Sequence, residues 1–431
     1  MIDNISKYIE NNIENSLYIS FIFYNLIFLL SIYLSYSLVF YLGNDITRFW
    51  MFFNPAEALN DLKELYLMVK NNDPYLKSEG YNVTTYPPFS YLFVQVLDFL
   101  NINNLFKYWL FNLIIFTIPV IKIYKNIKTT KEKLALIYFS FIFFFSYGFY
   151  YGIDRGNLES LVHVFLIYII AFRKNIYISA IFLSMAASLK IYAIVFLLCF
   201  FKKEYYRTFF LALFLLFIIN LIALILFEPS IKDSFTQWIT HMSMWSRRFF
   251  GFYNTDISLL YGYTLDMWSA LKILFLKFQI FSDPNHNYVI INYLLYGLYW
   301  IFFISLGFLF TAFRSNLNFK ELLLIASIFS LITLAGTYQY RLSILMLFMF
   351  SFFIGQKFNK TDIINCFVIM ILCIPKPYLL IDMPNNIAPK GLDWNCIIVP
   401  FASLIILMNI IIKKIKDLKN NPLSIKKIIF G

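Results

Sequence analysis

The sequence predicts an all-α protein that crosses a membrane many times, and three features support this fold class. Of the 431 residues, 60% are hydrophobic and 21% are aromatic, which is more apolar surface than a soluble core can bury. Only 14% are charged, and the net charge of +12 is spread over short Lys/Arg clusters. These clusters separate apolar runs, as in polytopic helical bundles. We therefore expect a single membrane domain over residues 1–431.

The apolar runs give the order of the helices: 17–42, 105–123, 134–152, 158–172, 176–201, 208–227, 289–312, 321–335, 342–355, 362–375 and 396–412. Basic residues flank run 176–201 at both ends, so it must enter and leave on one side. We expect a short hairpin that bends near Lys190. With this hairpin the bundle has about 10–12 passes. Both termini, including the basic tail 413–431, are then cytoplasmic.

The longer polar segments fall on the outer side of this topology. The first outer loop, 43–88, contains a predicted amphipathic helix over 55–70, with an apolar face formed by Ala58, Leu62, Leu65 and Val69. Residues 89–100 are too short to span and are expected at the interface or in a re-entrant segment. The outer loop 228–288 alternates aromatic and basic residues, which predicts interfacial helices.

Carboxylates of the first outer loop are candidates for acid–base chemistry. Asp61 lies on the predicted amphipathic helix, and Glu57 lies one turn earlier on the same face. Asp45 is a third candidate, although its position after the first apolar run also suits a helix cap. Solvated loop helices commonly carry acids, so the residue type alone does not select the base.

Three cations at the outer ends of apolar runs are candidates for binding an anion, because charges near membrane depth are costly. Arg155 lies in a turn with Asp154, which could instead neutralise it. Lys190 lies at the hairpin apex, with no polar loop around it. Arg341 begins an apolar run, where an interfacial anchor is the alternative. A guanidinium or ammonium in such a position suits a phosphate group.

Other chemistries find no support in the sequence. The four cysteines show no CxxC spacing, and the three histidines show no ligand spacing, so no metal site is predicted. Walker and Rossmann fingerprints are missing from the sequence, and the basic clusters fit topology better than nucleic-acid binding. We expect neither a cofactor nor a nucleic-acid partner.

Taken in order, the polar motifs resemble the GT-C membrane glycosyltransferases, particularly glycosyltransferase family 87 and its uncharacterised bacterial relatives. The resemblance covers roughly residues 45–345. The motifs are Asp61-Leu62, Asp73-Pro74-Tyr75, Tyr86-Pro87, Asp154-Arg155-Gly156-Asn157, Ser188-Leu189-Lys190-Ile191-Tyr192 and Tyr340-Arg341-Leu342.

This resemblance implies a GT-C-type bundle and an inverting sugar transfer at the outer leaflet. The donor would be a polyprenyl-phosphate sugar, and the acceptor an envelope glycan or glycolipid. An Asp of the first outer loop acts as base in the family, which points to Asp61, with Glu57 and Asp45 as rivals. No metal is expected. Lys190, Arg155 and Arg341 would bind the donor phosphate. Sugar or acceptor contacts are expected from Asp154, Asn157, Tyr86, Trp245 and Tyr338.

Two other functions remain open from the sequence. An O-antigen-type polymerase or ligase is also polytopic, and loop 228–288 is long enough for one. A flippase or transporter of lipid-linked sugars would place polar residues along a path through both leaflets, whereas here they concentrate near the outer side. We expect an inner-membrane protein whose site faces the periplasm or exterior. In a transferase, Asp61 should lie within about 10 Å of the three cations.

Overall fold

The computed structural model describes residues 13–42, 58–70, 86–227, 230–249, 317–332, 339–374, 380–381, 392–393 and 395–420, with single helical positions at 267, 270, 271, 274, 297, 300 and 307. These residues are overwhelmingly helical, which confirms the predicted all-α membrane bundle. One short antiparallel ladder adds to it, pairing Leu380–Ile381 with Leu392–Asp393. Asp45, Glu57 and Tyr338 lie outside the described residues, and so does most of run 289–312.

The α-helices, in chain order, are α1 Ile13–Leu42, α2 Asn60–Val69, α3 Pro88–Phe99, α4 Leu105–Asn126, α5 Thr130–Phe144, α6 Tyr147–Arg155, α7 Glu159–Ala171, α8 Ile176–Leu189, α9 Tyr206–Leu226, α10 Ile231–Phe249, α11 Phe319–Ile332, α12 Leu347–Phe353, α13 Lys360–Leu372 and α14 Asn395–Asn420. The described residues also form the 3-10 helices η1 Ile191–Phe200, η2 Lys203–Tyr205 and η3 Gln339–Met346.

Several helices can cross a membrane. Within the described residues, three are long and apolar enough for a full span: Leu105–Asn126, Lys203–Leu226 and Cys396–Lys416. The bent pair α5 and α6 makes a fourth if it counts as one span. Shorter apolar helices, among them α7 and α8, complete the bundle. The count of 10–12 passes stays a prediction.

The α7 helix lies at the centre of the bundle. Every residue from Glu159 to Ile170 is buried, because α7 packs against α4, α8 and α12. A helix that is apolar on all sides needs such surroundings. Its buried N-terminal residue, Glu159, is an acid, so this end of the bundle needs compensating polar groups.

Run 176–201 forms the predicted hairpin. The α8 helix ends at Leu189, and Lys190 is extended, with φ −145° and ψ 116°. The two ends of the hairpin lie close together, because residues beside each end contact Phe319. The Arg173 guanidinium lies 5.4 Å from the Phe319 ring centroid, and the Phe200 ring centroid lies 6.5 Å from it. The second arm is a 3-10 helix rather than an α-helix.

Run 134–152 is broken, so the prediction of one continuous helix there was wrong, whereas run 342–355 is continuous but changes helix type. Run 134–152 bends by 49° between α5 and α6. At the break, Ser146 is extended and its hydroxyl donates to the Phe143 carbonyl at 2.7 Å, which replaces a helical hydrogen bond. Run 342–355 begins within the 3-10 helix η3. Hydropathy does not distinguish an α-helix from a 3-10 helix, since both bury the same residues.

The connections between helices that contain Lys and Arg lie at the end of the bundle opposite Glu159. Lys122 lies 5.7 Å from the ring centroid of Phe172. Arg173 donates to the Ile354 carbonyl at 3.4 Å, and Lys320 donates to the Lys357 carbonyl. The links after α4, α7 and α12 therefore meet at one end, and the hairpin apex at Lys190 lies at the other.

A buried ion pair at this basic end should stabilise the fold. Lys320 is 3% exposed and pairs with Asp362, which also caps α13 through the Asn359 backbone N–H. Asp362→Asn would leave the Lys320 ammonium buried without its counter-charge, so we expect a loss of about 3 kcal/mol in the free energy of unfolding. Thermal unfolding of the detergent-purified protein measures this loss.

The matched control is Asp233→Asn. Asp233 also lies in the first turn of its helix, α10, and bonds to Ser230, but it is exposed. This variant should lower the free energy of unfolding by less than about 1 kcal/mol. Equal melting temperatures for the two variants would show that the buried pair contributes nothing beyond capping.

Candidate functional site

The α2 helix places Asp61 over the turn that follows α6. It begins at Asn60, later than predicted, after Leu59 in a left-handed conformation with φ 57°. The Leu59 N–H donates to the Asp154 carbonyl at 2.8 Å, which fixes the helix start on that turn. The predicted apolar residues Leu62, Leu65 and Val69 are buried. Asp61 therefore lies in the first turn and is half-buried.

Gly156 allows this close approach. Its φ of 68° is in the left-handed region, where residues with a Cβ are strained. A Cβ at this position would lie 2.7 Å from the Leu62 Cβ and 3.1 Å from the Leu59 Cα. Glycine is therefore required both by the turn and by the packing of α2 on it. The next residue, Asn157, is brought beside Asp61 as a result.

Asn157 connects Asp61 to the interior. Its side-chain Nδ2 donates to the Asp61 carboxylate at 2.6 Å, and its Oδ1 accepts from the Glu159 backbone N–H at 3.0 Å. The Tyr108 hydroxyl donates to the Asn157 carbonyl at 3.0 Å. These bonds engage the amide at both ends, so Asn157 orients the Asp61 carboxylate.

Glu159 joins two of the predicted cations. The Arg341 Nε donates to Glu159 Oε1 at 2.7 Å, and the Lys190 Nζ lies 4.0 Å from Oε2. Glu159 is 0% exposed. Reasoning from the sequence missed this residue, although an acid at the start of an apolar run is a signal for a functional site.

Aromatic rings cover both cations. The Lys190 ammonium lies 4.0 Å from the ring centroid of Tyr86, and the Arg341 guanidinium lies 4.1 Å from that of Tyr192. Such cation–π contacts are strongest where water is excluded. Burial raises the pKa of Tyr86 well above its ordinary value, and the negative charges of Asp61 and Glu159 add to the increase. Tyr86 therefore contacts Lys190 of the ion-pair cluster and lies within electrostatic range of both carboxylates.

Hydrogen bonds at the hairpin apex hold Tyr86 in this position. The C-terminus of α8 leaves carbonyls without helical partners. The Ser90 hydroxyl donates to two of them, Ser188 at 3.0 Å and Leu189 at 2.8 Å. Asn220 adds a second link, because its Nδ2 donates to the Ser188 hydroxyl and its Oδ1 accepts from the Phe89 N–H. The start of α3 is thereby fixed to the apex.

The remaining predicted residues have different surroundings. Arg155 lies 5.3 Å from the ring centroid of Tyr151, on its own helix, and the charges of Arg155 and Asp61 both act on the Tyr151 hydroxyl. Asp154 is 1% exposed. Trp245 lies on α10, and its side chain is not among those described. The structure thus joins Lys190 and Arg341 through Glu159, whereas Arg155 contacts the Tyr151 ring.

Potential metal ligands do not cluster in the part of the chain that the structure describes: no three His, Cys, Asp or Glu side chains are arranged around a common point. All four cysteines are buried. The polar groups that converge are instead a carboxylate, an amide, an ammonium and a guanidinium, which suit proton transfer and anion binding.

Comparison with known proteins gives a family. The model of glycosyltransferase family 87 matches residues 85–335, which is more than half of the chain. The matched range contains Tyr86, Asn157 and Lys190, but it begins after Asp61 and ends before Arg341. No curated protein and no solved structure gives a significant match. On the family match, the chain belongs to glycosyltransferase family 87 and is a membrane glycosyltransferase.

Proposed function

We propose that the protein transfers a sugar from a polyprenyl-phosphate donor to a glycan or lipid acceptor of the cell envelope, with inversion at the anomeric carbon. The observation that carries this proposal is the continuous connection from Asp61 through Asn157 and Glu159 to Lys190 and Arg341. A base candidate and two phosphate-binding candidates thereby share one site. Sugar transfer from a lipid phosphate needs both kinds of group.

The reaction divides between these groups. Asp61 accepts the proton of the acceptor hydroxyl while the oxygen of that hydroxyl bonds to the anomeric carbon. The bond from that carbon to the phosphate oxygen breaks, and polyprenyl phosphate leaves with the electron pair. Lys190 and Arg341 stabilise the charge that develops on the leaving oxygen. A single displacement of this kind inverts the configuration at the anomeric carbon.

The charges around Glu159 favour a monophosphate donor. Lys190 and Arg341 supply two positive charges and Glu159 one negative charge, which leaves one positive charge. A sugar linked through a phosphodiester carries one negative charge, so its charge balances that of the cluster. A diphosphate-linked sugar would bring a second negative charge that these three residues do not balance in the ground state.

We propose that the site faces the outside of the inner membrane. The lysine-rich links meet at the end of the bundle away from Glu159, and such links remain cytoplasmic in inner-membrane proteins. Both termini are then cytoplasmic. The donor and acceptor lipids reach the site from the outer leaflet, and the protein needs no metal or other cofactor in this mechanism.

A turnover assay tests the proposal. The purified protein is incorporated into liposomes with polyprenyl-phosphate hexoses and pentoses, together with envelope lipids and glycans as acceptors. We expect release of polyprenyl phosphate and a product of inverted anomeric configuration, measured by NMR. Turnover of nucleotide sugars alone, or retention of configuration, would contradict the proposed donor or mechanism respectively.

A further inference from the structure

We infer that Glu159 is the positioning residue of the site, and that its side chain and its backbone serve different substrates. The side chain holds the two cations that bind the donor, and the backbone N–H holds the amide that orients Asp61 toward the acceptor. This inference rests on the proposed function. It assigns a role to a residue that lies between the reacting groups without touching either substrate.

Glu159 and an aromatic ring both hold each cation. Arg341 contacts Glu159 and the Tyr192 ring, and Lys190 lies near Glu159 and over the Tyr86 ring. Two cations in a buried site repel each other strongly, because the surroundings screen them poorly. The Glu159 carboxylate offsets this repulsion and keeps both cations charged and close.

The backbone N–H of Glu159 acts on the other half of the site. It donates to Asn157 Oδ1, which leaves the Nδ2 of the same amide directed at the Asp61 carboxylate at 2.6 Å. Replacing the Glu159 side chain does not remove this N–H. A variant at 159 should therefore disturb the donor half alone, and a variant at Asn157 should disturb the base alone.

Glu159→Gln tests the side chain. Glutamine keeps an oxygen for Arg341, but it carries no charge and directs an N–H toward the second cation. We expect the donor KM to rise by about 10–100-fold, the effect that partners orienting metal ligands have on affinity. The acceptor KM should stay unchanged. Glu159→Asp keeps the charge and should recover part of the donor affinity.

Asn157→Ala tests the backbone connection. The cations keep their partners, but the Asp61 carboxylate loses the bond that orients it. We expect kcat to fall by up to about 100-fold, as for small misplacements of a catalytic group, with an unchanged donor KM. The matched control for Glu159→Gln is Glu321→Gln, which also neutralises a buried acid in the first turn of a helix, paired with Lys414 at the other end of the bundle.

Binding of polyprenyl phosphate by the purified protein separates this inference from the proposed function. If the wild-type protein binds it but transfers no sugar, the proposed transfer is wrong, and the comparison between Glu159→Gln and Glu321→Gln still decides the role of Glu159. Weaker binding by Glu159→Gln alone supports the inference. Equal binding by wild type and both variants overturns it, as does a raised donor KM for Asn157→Ala. If the wild type binds no polyprenyl phosphate, both proposals fail.

Discussion

Asp61→Asn should lower sugar transfer by about 1000-fold, within the range that a general base contributes. Asparagine has the same shape, and its Oδ1 can accept the Asn157 hydrogen bond that Asp61 accepts in the wild type. The substitution therefore removes proton acceptance and preserves the local geometry. Initial rates with a polyprenyl-phosphate sugar, at equal amounts of folded protein, give the measurement.

Asp98→Asn is the matched control, because Asp98 is an exposed acid near the end of α3 and should tolerate the change. Glu57→Gln and Asp45→Asn address the rival bases in the same assay. If Asp61→Asn transfers sugar at the wild-type rate and one rival variant is inactive, the role of base passes to that rival.

Arg341→Gln should damage both the fold and the activity, and a second substitution should separate the two effects. The single change leaves the buried Glu159 carboxylate without its 2.7 Å partner, which should destabilise the protein by about 3–5 kcal/mol. The double variant Glu159→Gln/Arg341→Gln replaces the ion pair by two neutral amides. We expect it to recover only part of the lost stability, because breaking a buried pair costs more than removing it whole, but Lys190 then lacks the Glu159 carboxylate.

Neither variant should transfer sugar well, because both lack the guanidinium that we propose binds the phosphate. A loss of about 100–1000-fold in kcat is expected for one missing donor to a developing negative charge. Thermal unfolding and donor turnover, measured on the same preparations, separate the two effects. Arg173→Gln is the control, since Arg173 also lies over an aromatic ring but at the basic end of the bundle. A stable double variant with normal turnover would exclude Arg341 from donor binding.

The sequence predicts most of the helices because apolar runs and basic flanks report directly on burial in a membrane. The hairpin apex at Lys190 follows from charge placement alone and agrees with the structure. The break at Ser146 does not follow, because a serine inside an apolar run also fits a continuous helix. The 3-10 form of η1 and η3 is likewise invisible to hydropathy, since the backbone hydrogen-bond pattern decides it.

The sequence predicts several residues of the candidate site but not the hydrogen bonds and ion pairs between them. Asp61 is predicted from its place in the first outer loop and from the family resemblance, and Lys190 and Arg341 are predicted because charge at membrane depth is costly. Asn157 is recognised too, but as a sugar contact, whereas its amide bonds to Asp61 and Glu159. Glu159 is missed because it is neither an acid of the first outer loop nor a cation at the end of an apolar run. Its role becomes clear only in the structure, where the Glu159 carboxylate forms an ion pair with Arg341, which is 182 residues away in the sequence.

The length of α7 has a consequence for the chemistry. Its 13 residues rise about 18 Å, and tilt shortens this distance across the membrane. The hydrocarbon layer is about 30 Å thick, so if α7 ends at the inner boundary, on the proposed orientation Glu159 lies at least about 12 Å below the outer boundary. The lipid phosphate must descend from the headgroup layer to meet Lys190 and Arg341. Water is scarce at that depth, and hydrolysis of the activated donor, the reaction that would waste it, is suppressed where transfer takes place.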